Sequence, residues 1–433
     1  MKISLSSGRF ITDNSLECES GCYFVRTNSN LKFESTARTA GAEIIAPKRA
    51  LELAGSLSNL KIVGITGTNG KTTTAALTAH ILTALGHKCA LAGTRGAFVD
   101  GEQIAPKGLT TSQFLETLSY MWRAVEAGCE YFIMEVSSHA IAQNRVEGLE
   151  FALKIFTNLT QDHLDYHKTF EEYARVKSSF FADETLKLIN ADDEFIRYSK
   201  INAHLYAIED SNLNNAEFTA TEADFSRGIT ATLNLAGEQI KFNSHLQGKF
   251  NLYNILAAAA AVRLLEPNSN LNALARAIES FPGVEGRVQV VSRNPLVIVD
   301  FAHTPDGIEK VLSALNHKRL IVVFGAGGDR DRTKRPLMGA AVEKYAHTAI
   351  VTSDNPRSEE PSEIANEILS GMKSERTICE LDRRKAISLA ISLAKEDDIV
   401  AILGKGDETT QEIKGAKYHF SDAEVVREIL EGK

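Results

Sequence analysis

The stretch GITGTNGKTTT, residues 64–74, decides the fold that this sequence encodes. Apolar β-branched residues, Ile62 and Val63, come directly before it. The residues after it carry apolar side chains at helical spacing as far as Gly86, which suits a helix C-cap. The pattern therefore predicts a strand, a glycine-rich loop and then a helix.

This layout suits the binding of a polyphosphate. Glycines let the backbone approach an anion, and a helix N-terminus presents N–H groups and partial positive charge. Lys71 supplies a point charge, and the Thr72 hydroxyl is a ligand for Mg²⁺. Ile65 stands where the pattern GxxxxGK[ST] has its first glycine, so the loop departs from that pattern. An ordinary glycine-rich turn is the alternative, but the strand and helix around the loop favour nucleotide binding.

Length, composition and charge restrict the class of protein. A chain of 433 residues is too long for one core, so two or three domains are expected. A formal net charge of −8 argues against nucleic acid or an anionic membrane as a general partner. No apolar run reaches membrane length, and the first ten residues lack a signal-peptide core. We therefore expect a cytoplasmic protein.

The cysteines are scattered and odd in number, which does not suit a disulfide framework. Two of them are close in sequence, but no second pair accompanies them, so a zinc site is not expected. We interpret all five as free thiols: Cys18, Cys22, Cys89, Cys129 and Cys379.

Alternating strand and helix patterns predict an α/β protein of three domains. Residues 1–58 hold short strand-like pieces around a helical pattern and form a small N-terminal α/β domain. Residues 59–283 predict a central P-loop-type ATPase domain with a mainly parallel sheet. A breaker cluster, FPGVEG at 281–286, precedes a Rossmann-like C-terminal domain at 284–433. Polar clusters follow the strands, where open α/β sheets bind their ligands.

Three polar residues of the central domain stand out. Glu135 ends a buried strand and could reach Mg²⁺, the alternative being a solvated strand-end carboxylate. His163 lies in the polar stretch TNLTQDHLDYH, residues 157–167, which loop polarity alone also explains. Lys177 lies on an apolar helix face, so it either extends to solvent or has a charged partner.

Two further pairs stand out beyond this region. Asn251 and Asn254 are three residues apart in an alanine-rich helix, which puts both amides on one face. They suit hydrogen bonds to a purine or ribose, while helix capping and solvation are the alternative. Arg287 and Asp300 begin the last domain, and either alone is weak evidence.

Ten motifs, taken together and in this order, resemble the Mur ligases of peptidoglycan synthesis. The resemblance runs from about Lys61 to the C-terminus and, more faintly, through residues 1–58. Within the family the chain is most similar to the ligases that add the third amino acid. The motifs are GITGTNGKTTT, LTTSQ, EVSSHA, TNLTQDHLDYH, GKFNLYNILAAAA, EGR, DFAHTPD, GGDRDRTKRP, DNPRSEEP and GKGDE. The last has Asp407 where the family usually shows histidine.

The resemblance implies ATP and Mg²⁺ as cofactors and gives the matched positions their roles. It implies that Lys177 is carbamylated and so becomes a carboxylate able to bind metal. The implied catalytic residues are Lys71, Glu135, His163, Lys177 and Arg287. The implied metal ligands are Thr72, Glu135, His163 and Lys177. The implied ATP site is Gly67, Thr68, Asn69, Gly70, Lys71, Thr72, Thr73, Asn251, Asn254, Arg287 and Asp300.

The resemblance also implies two further substrates. Residues 1–58 would bind the uridine end of a UDP-N-acetylmuramoyl dipeptide, and the last domain would bind meso-diaminopimelate. The implied dipeptide-substrate residues are Ser15, Thr110, Thr111, Ser137, Gln143, Arg145 and Lys177. The implied diaminopimelate residues are Arg330, Asp354, Asn355, Arg357, Gly404 and Glu408. We expect a monomer with neither nucleic acid nor a membrane as partner.

The motif DNPR makes the strongest specificity prediction. Pro356 fixes the turn after a buried strand, so that Arg357 is presented rigidly. A guanidinium forks onto a carboxylate, and diaminopimelate has a distal carboxylate where lysine has none. Lysine would leave Arg357 desolvated and unpaired, while Glu408 would pair with the distal ammonium. A polar turn with a solvated arginine is the alternative.

The reaction that we expect is ATP-dependent amide formation through an acyl phosphate. A ligase that adds L-lysine or another amino acid, or a ligase like folylpolyglutamate synthase, is the alternative within the same superfamily. Folylpolyglutamate synthase is distinguished by the absence of DNPR. A regulatory nucleotide-binding switch is the alternative from another class, and it predicts slow hydrolysis with no amide product.

Overall fold

The computed structural model describes residues 1–5, 7–55, 57, 59–160, 162–226, 228–315 and 318–432, without the side chains of 164 and 165. The predicted domain boundary at residue 58 and the final residue of the third domain lie outside these ranges. The chain forms two compact units. The first comprises Met1–Ala223, Thr230–Asn243 and Asn251–Phe281, and the second comprises Asp224–Ile229, Ser244–Phe250 and Pro282–Lys433. The bounds of three separate domains stay predictions.

The N-terminal part of the first unit is a small four-stranded sheet in the order β1-β2-β3-β4. The β1–β2 pair is antiparallel, and the β2–β3 and β3–β4 pairs are parallel. Its strands are Lys2–Ser4 (β1), Phe10–Thr12 (β2), Tyr23–Val25 (β3) and Glu43–Ile45 (β4), and its helices are Glu34–Thr39 (α1) and Pro47–Ala54 (α2). Ile11 and Val25 are fully buried and pack in one cluster with Leu115 and Leu118.

The rest of the first unit is built on an eleven-stranded sheet in the order β15-β14-β13-β12-β11-β10-β5-β9-β6-β7-β8. Pairing is parallel from β13 through β6, and antiparallel from β6 to β8. The strands are Lys61–Thr66 (β5), Cys89–Gly93 (β6), Gly96–Val99 (β7), Glu102–Ala105 (β8), Tyr131–Glu135 (β9), Phe151–Phe156 (β10), Lys187–Asn190 (β11), Ala203–Ala207 (β12), Phe218–Asp224 (β13), Ile229–Leu235 (β14) and Glu238–Ser244 (β15). The expected parallel sheet is confirmed.

Helices cover this sheet, and for that reason its central strands β5 and β9 are buried on both faces. The helices are Lys71–Ala84 (α3), Phe114–Glu126 (α4), Ser138–Ala142 (α5), Leu164–His167 (α6), Phe170–Ser179 (α7), Lys249–Leu265 (α8) and Leu271–Ser280 (α9). Three short 3₁₀ helices are Ser15–Glu17, Leu31–Phe33 and Leu213–Asn215. The helix after the glycine-rich loop begins at Lys71, as the sequence pattern predicts.

The second unit contains a six-stranded sheet in the order β16-β17-β21-β18-β19-β20, parallel except for β16, and a separate hairpin. The strands are Gln289–Arg293 (β16), Leu296–Asp300 (β17), Leu320–Phe324 (β18), Thr348–Val351 (β19), Thr377–Cys379 (β20) and Ile399–Leu403 (β21), and the hairpin is Thr410–Ile413 (β22) and Ala416–His419 (β23). The helices are Pro305–Leu315 (α10), Lys334–Tyr345 (α11), Pro361–Leu369 (α12), Arg383–Leu393 (α13) and Asp422–Leu430 (α14). The expected Rossmann-like architecture is confirmed.

Two general expectations are also settled by the fold. All five cysteines are free thiols. Among the helices that the structure describes, none is long and apolar enough to cross a bilayer. In the second unit, β17, β18, β19 and β21 run in one direction, so the polar loops that follow them gather at one edge of the sheet.

Candidate active site

The glycine-rich loop between β5 and α3 is folded tightly around its lysine. The Lys71 ammonium donates to the carbonyls of Gly67 at 2.8 Å and Thr68 at 2.9 Å. Gly67 has a φ of +155°, and a Cβ built there would overlap the Thr157 hydroxyl oxygen. The loop therefore requires glycine at this position and keeps a cation among its own carbonyls.

Glu135, at the end of β9, touches this loop directly. The Thr72 hydroxyl donates to Glu135 Oε2 at 3.0 Å, and the Thr94 backbone N–H donates to Glu135 Oε1 at 2.9 Å. Glu135 is only 2% exposed, so the alternative of a solvated strand-end carboxylate is wrong. Two of the predicted metal ligands, Thr72 and Glu135, are thus in contact, and both offer the hard oxygen atoms that Mg²⁺ prefers.

Lys177, on α7, is buried beneath the same loop. Its ammonium donates to the Gly67 carbonyl at 2.9 Å and the Thr66 hydroxyl at 3.2 Å, and the residue is 1% exposed. The expectation that it extends to solvent is therefore wrong. Burial disfavours the charged amine, and the charge of Lys71 repels it, so the pKa of Lys177 lies well below its usual range. The charge of Asp162 acts in the opposite direction, but without reversing this shift.

His163 is more exposed to solvent than the other predicted metal ligands. Its side chain is 45% exposed, and its Nε2 lies 3.5 Å from Asp162 Oδ2. Its ring stands edge-on to that of His139, with 5.0 Å between ring centroids. The part of the chain that the structure describes holds no group of three His, Cys, Asp or Glu side chains placed to hold a metal. A Mg²⁺ site formed by the predicted ligands would therefore need the Thr72 hydroxyl and a modified Lys177 beside Glu135 and His163.

Asn251 and Asn254 lie in the first turns of α8 and are buried, 2% and 5% exposed. The Asn254 amide donates to Asn251 Oδ1 at 2.9 Å, and Asn254 Oδ1 accepts from the Thr74 hydroxyl at 3.3 Å. The same oxygen fills the space that a Cβ on Gly70 would take. Solvated capping is therefore wrong, because Asn254 packs against the glycine-rich loop. Their contact with a purine or ribose stays a prediction.

Thr111 links Glu135 to the predicted dipeptide-substrate residues. The Thr111 hydroxyl donates to the Glu135 carbonyl at 3.0 Å and to Ser137 Oγ at 3.2 Å. The Arg145 guanidinium donates to the Thr111 carbonyl at 2.7 Å and to Gln143 Oε1. The Thr110 hydroxyl joins the group through Thr94, at 3.1 Å.

Arg145 is an unneutralised cation in this group. It is 7% exposed, and its partners among the described residues are a carbonyl and an amide rather than a carboxylate. Burial lowers its pKa, because a buried charge without a counterion is unfavourable. A buried guanidinium of this kind suits an anionic ligand. Ser15 lies apart from it, buried in the 3₁₀ helix that Asn14 caps, and its contact with uracil stays a prediction.

Asp300 and Arg287 are neighbours in the second unit. The Asp300 carboxylate accepts the backbone N–H groups of Val288 and Ala302, each at 2.7 Å. Burial raises the pKa of Asp300, and the nearby Arg287 acts in the opposite direction. The Arg287 guanidinium lies 4.8 Å from the Phe301 ring centroid. Their predicted contact with ATP is not tested by these contacts.

Asn355 and Glu408, two of the predicted diaminopimelate residues, are joined at the carboxyl ends of β19 and β21. The Asn355 amide donates to Glu408 Oε2 at 2.8 Å. Lys405 donates to the same oxygen at 3.0 Å and is fully buried, yet the sequence reading did not single it out. Gly404 lies against Asp354, because a Cβ there would be 2.5 Å from Asp354 Oδ2. Glu408 thus has a cationic partner of its own before any substrate binds.

Arg357 follows the turn after β19 and is held in place. It has a φ of +52°, and its Nη1 donates to the Gly328 carbonyl at 2.6 Å. Its Nε lies 3.6 Å from Glu412 Oε2, and its side chain is 25% exposed. It is therefore not a freely solvated arginine, and its state with lysine bound stays a prediction. Arg330 is beside it, since both side chains lie within 4 Å of a Cβ built on Gly327.

Comparison with known proteins identifies a family. The family model for the Mur ligase middle domain matches residues 65–262, and that for the Mur ligase glutamate ligase domain matches residues 286–406. The chain is 50% identical over 373 residues to UDP-N-acetylmuramoyl-L-alanyl-D-glutamate–2,6-diaminopimelate ligase of Helicobacter hepaticus, covering 84% of this chain and 80% of that protein.

Solved structures agree with this result. The structure of a UDP-N-acetylmuramoyl-L-alanyl-D-glutamate–2,6-diaminopimelate ligase has a TM-score of 0.71 and 31% identity, and the match covers 98% of this chain and 94% of that one. Folylpolyglutamate synthase of Mycobacterium tuberculosis has a TM-score of 0.65 at 19% identity, covering 83% of this chain and 92% of that one. The second likeness shows a shared fold alone.

Proposed function

The chain belongs to the Mur ligase family, and we propose that it is an ATP-dependent ligase that joins meso-2,6-diaminopimelate to UDP-N-acetylmuramoyl-L-alanyl-D-glutamate. The names of its relatives at 41–50% identity support this choice over L-lysine addition and over folylpolyglutamate synthesis. The reaction would supply a peptidoglycan precursor in the cytoplasm, with the protein acting as a monomer.

One observation carries the proposal, namely that two anion-binding features meet at the end of β9. The Glu135 carboxylate accepts a hydrogen bond from Thr72, next to the glycine-rich loop. The Glu135 backbone carbonyl accepts one from the Thr111 hydroxyl. The Thr111 carbonyl in turn accepts from Arg145, a buried cation with no carboxylate partner among the described residues. A nucleotide-binding switch needs one anion site, whereas a ligase must bring ATP and a second anionic substrate together. The arrangement therefore favours a ligase.

The chemistry joins two negatively charged reactants in its first step. A carboxylate oxygen of the dipeptide attacks the γ-phosphorus of ATP, and ADP leaves. The amine of the amino acid then attacks the acyl carbon, and phosphate leaves with that carboxylate oxygen. Lys71, Arg145 and Arg287 are the protein cations proposed to offset the charge of the reactants. Bound Mg²⁺ would supply further neutralisation of the phosphate oxygens.

The low pKa of Lys177 supports its proposed carbamylation. Only the neutral amine attacks CO₂, forming an N-carboxylate and releasing a proton. Because burial holds the pKa of Lys177 well below its usual range, more of this amine is neutral near pH 7 than for an exposed lysine. The product would be a carboxylate beside Thr66 and Gly67, which changes an unfavourable buried cation into a candidate metal ligand.

Lys177→Ala should lose ligation, and short-chain carboxylates such as formate or acetate should restore part of it by occupying the vacated space. Lys187→Ala is the matched control, because Lys187 is also fully buried but donates to the carbonyls of Asp183 and Ile201. It should lower stability without any rescue by carboxylates. Intact mass and a crystal structure of the active wild type should show the carbamate, and an unmodified Lys177 in active enzyme would contradict the proposal.

Gly67→Ala should weaken ATP binding and lower the melting temperature, since the new Cβ would overlap the Thr157 hydroxyl. Gly86→Ala is the control, because Gly86 has a φ of +99° with open space around it. The control keeps only the backbone strain of a positive φ, on the order of 1–2 kcal/mol. Thermal unfolding and ATP titration would compare them, and equal effects of the two substitutions would refute the packing argument.

The test of the proposed function is a phosphate-release assay with ATP, the UDP-muramoyl dipeptide and a panel of amino acids. We expect release that depends on meso-diaminopimelate and is accompanied by an amide product. ATP hydrolysis that no amino acid stimulates would instead support the nucleotide-binding switch.

A further inference from the structure

Two loops at the carboxyl edge of the second sheet are joined by hydrogen bonds to and from the backbone of Gly328. The loop at 327–330 follows β18, and the loop at 355–359 follows β19. The N–H of Gly328 donates to the Asn355 carbonyl at 2.9 Å, and Arg357 Nη1 donates to the Gly328 carbonyl at 2.6 Å. The Pro356 carbonyl fills the space that a Cβ on Gly328 would need. At Gly328 the two loops thus pack too closely for any side chain.

Polar side chains add a second set of ties. The Ser358 hydroxyl donates to Asp329 Oδ1 at 2.5 Å, and the backbone N–H of Asp329 donates to Glu359 Oε1 at 2.6 Å. Asp329 and Arg357 both have positive φ angles, +54° and +52°. Such a backbone is unfavourable for these residue types and persists only where neighbouring contacts hold it. The two loops therefore hold each other in a shape that neither would adopt alone.

Arg335, on α11, lies behind this junction and is 1% exposed. Its two terminal nitrogens donate to the two oxygens of Glu359, both at 2.8 Å, and Nη2 also donates to the Gly327 carbonyl at 3.2 Å. Hydrogen bonds from Arg335 lower the pKa of Glu359 to about 2. Glu359 is therefore ionised at neutral pH, and the fork contacts one loop through Gly327 and the other through Glu359.

We propose that Arg335 and Glu359 are a positioning pair for the amino-acid substrate. They hold the two loops together and so fix the placement of Arg330 and Arg357, whose side chains both lie within 4 Å of a Cβ built on Gly327. The inference rests on the proposed function and deepens it. Neither member of the pair is among the predicted substrate-binding residues, so we expect their effect to reach the substrate through the two arginines.

Arg335 has two carboxylate partners among the described residues, and only one of them belongs to a loop. Arg335 also pairs with Glu367 on α12, at 2.7 Å, and Glu367 pairs in turn with Arg332, which lies between the loop at 327–330 and α11. Glu359 connects Arg335 to the Asp329 backbone, because it accepts from both. A lysine at position 335 would keep the charge but lose the planar two-point contact with Glu359. The pair can therefore be loosened without removing the buried charge.

The experiment measures KM for meso-diaminopimelate, ATP and the UDP-muramoyl dipeptide in Arg335→Lys and Glu359→Gln. We expect the KM for diaminopimelate to rise by about tenfold or more, because small displacements of binding groups are costly. The other two KM values should not change. Glu367→Gln is the matched control, since Glu367 pairs with Arg335 and Arg332 but with no described residue of the loops at 327–330 and 355–359. It should lower the melting temperature and leave all three KM values unchanged.

Ser358→Ala is a second variant for the case that the buried variants do not fold. It removes only one hydrogen bond between the loops, from the Ser358 hydroxyl to Asp329. It should raise the same KM by a smaller factor. An unchanged KM for diaminopimelate in the folded variants, or an equal rise in all three KM values, would overturn the positioning role. Absence of ligation by the wild type would refute the proposed function itself, so the two failures are distinct.

Discussion

Lys71→Ala should abolish ligation while the protein remains folded. The lysine begins α3 and its ammonium lies among carbonyls of the phosphate loop, at the positive end of the helix. The expected loss is about 10²-fold or more in kcat, on the scale of removing one preorganised charge from an active site. Phosphate release under saturating substrates gives the rate, and circular dichroism with thermal unfolding shows that the fold is retained.

Lys88→Ala is the control for this experiment. Lys88 pairs with Asp100 at 3.1 Å, and its side chain is 54% exposed, so its replacement should change neither rate nor fold. A folded Lys71→Ala protein that ligates at nearly the wild-type rate would refute the assignment of residues 64–74 to nucleotide binding.

Arg357→Ala should remove most of the preference for meso-diaminopimelate over L-lysine. The distal carboxylate of diaminopimelate would gain charge-assisted hydrogen bonds from the guanidinium, and lysine offers no such group. Because Arg357 keeps the Gly328 carbonyl and Glu412 as partners, lysine would not leave it bare. The expected preference therefore equals the free energy of these additional hydrogen bonds. That is about 1.5–3 kcal/mol, or roughly 10- to 150-fold in kcat/KM. That is lower than a fully desolvated arginine would give.

The measurement compares kcat/KM for meso-diaminopimelate and L-lysine in the wild type and in Arg357→Ala. Arg384→Ala serves as control, since Arg384 is an exposed arginine that pairs with Glu428 on α14. It should keep the wild-type ratio. Similar kcat/KM for both amino acids in the wild type would contradict the assignment of diaminopimelate. A mutant that keeps the full preference would remove Arg357 from the explanation.

The parts of the site that are predictable from the sequence depend on local patterns. The strand, loop and helix around residues 61–84 follow from β-branched residues, glycines and helical spacing, and the structure has them there. The burial of Glu135 follows from its place at the end of an apolar strand in a parallel sheet. Each of these signals lies within a few residues of the feature that it predicts.

Other parts depend on contacts between residues that are distant in sequence. Glu412 neutralises part of Arg357 from the hairpin β22–β23, whose weak alternation carries no sign of a site. Lys405 stands in the motif GKGDE, but only the fold shows that its ammonium is fully buried between Asn355 and Glu408. The Arg335–Glu359 pair also joins residues that are distant in sequence. The sequence analysis did not find it, because charged residues in a polar stretch usually lie on a solvated surface.

The most direct test of the account follows oxygen atoms through the reaction. The UDP-muramoyl dipeptide is labelled with ¹⁸O in the carboxylates of its glutamyl residue and incubated with the enzyme, ATP and meso-diaminopimelate. An acyl phosphate intermediate predicts that the released phosphate carries one ¹⁸O atom and that an equal amount of the diaminopimelate amide is formed, both measured by mass spectrometry. Phosphate without label, or ATP hydrolysis without any amide product, would contradict amide ligation by this chain.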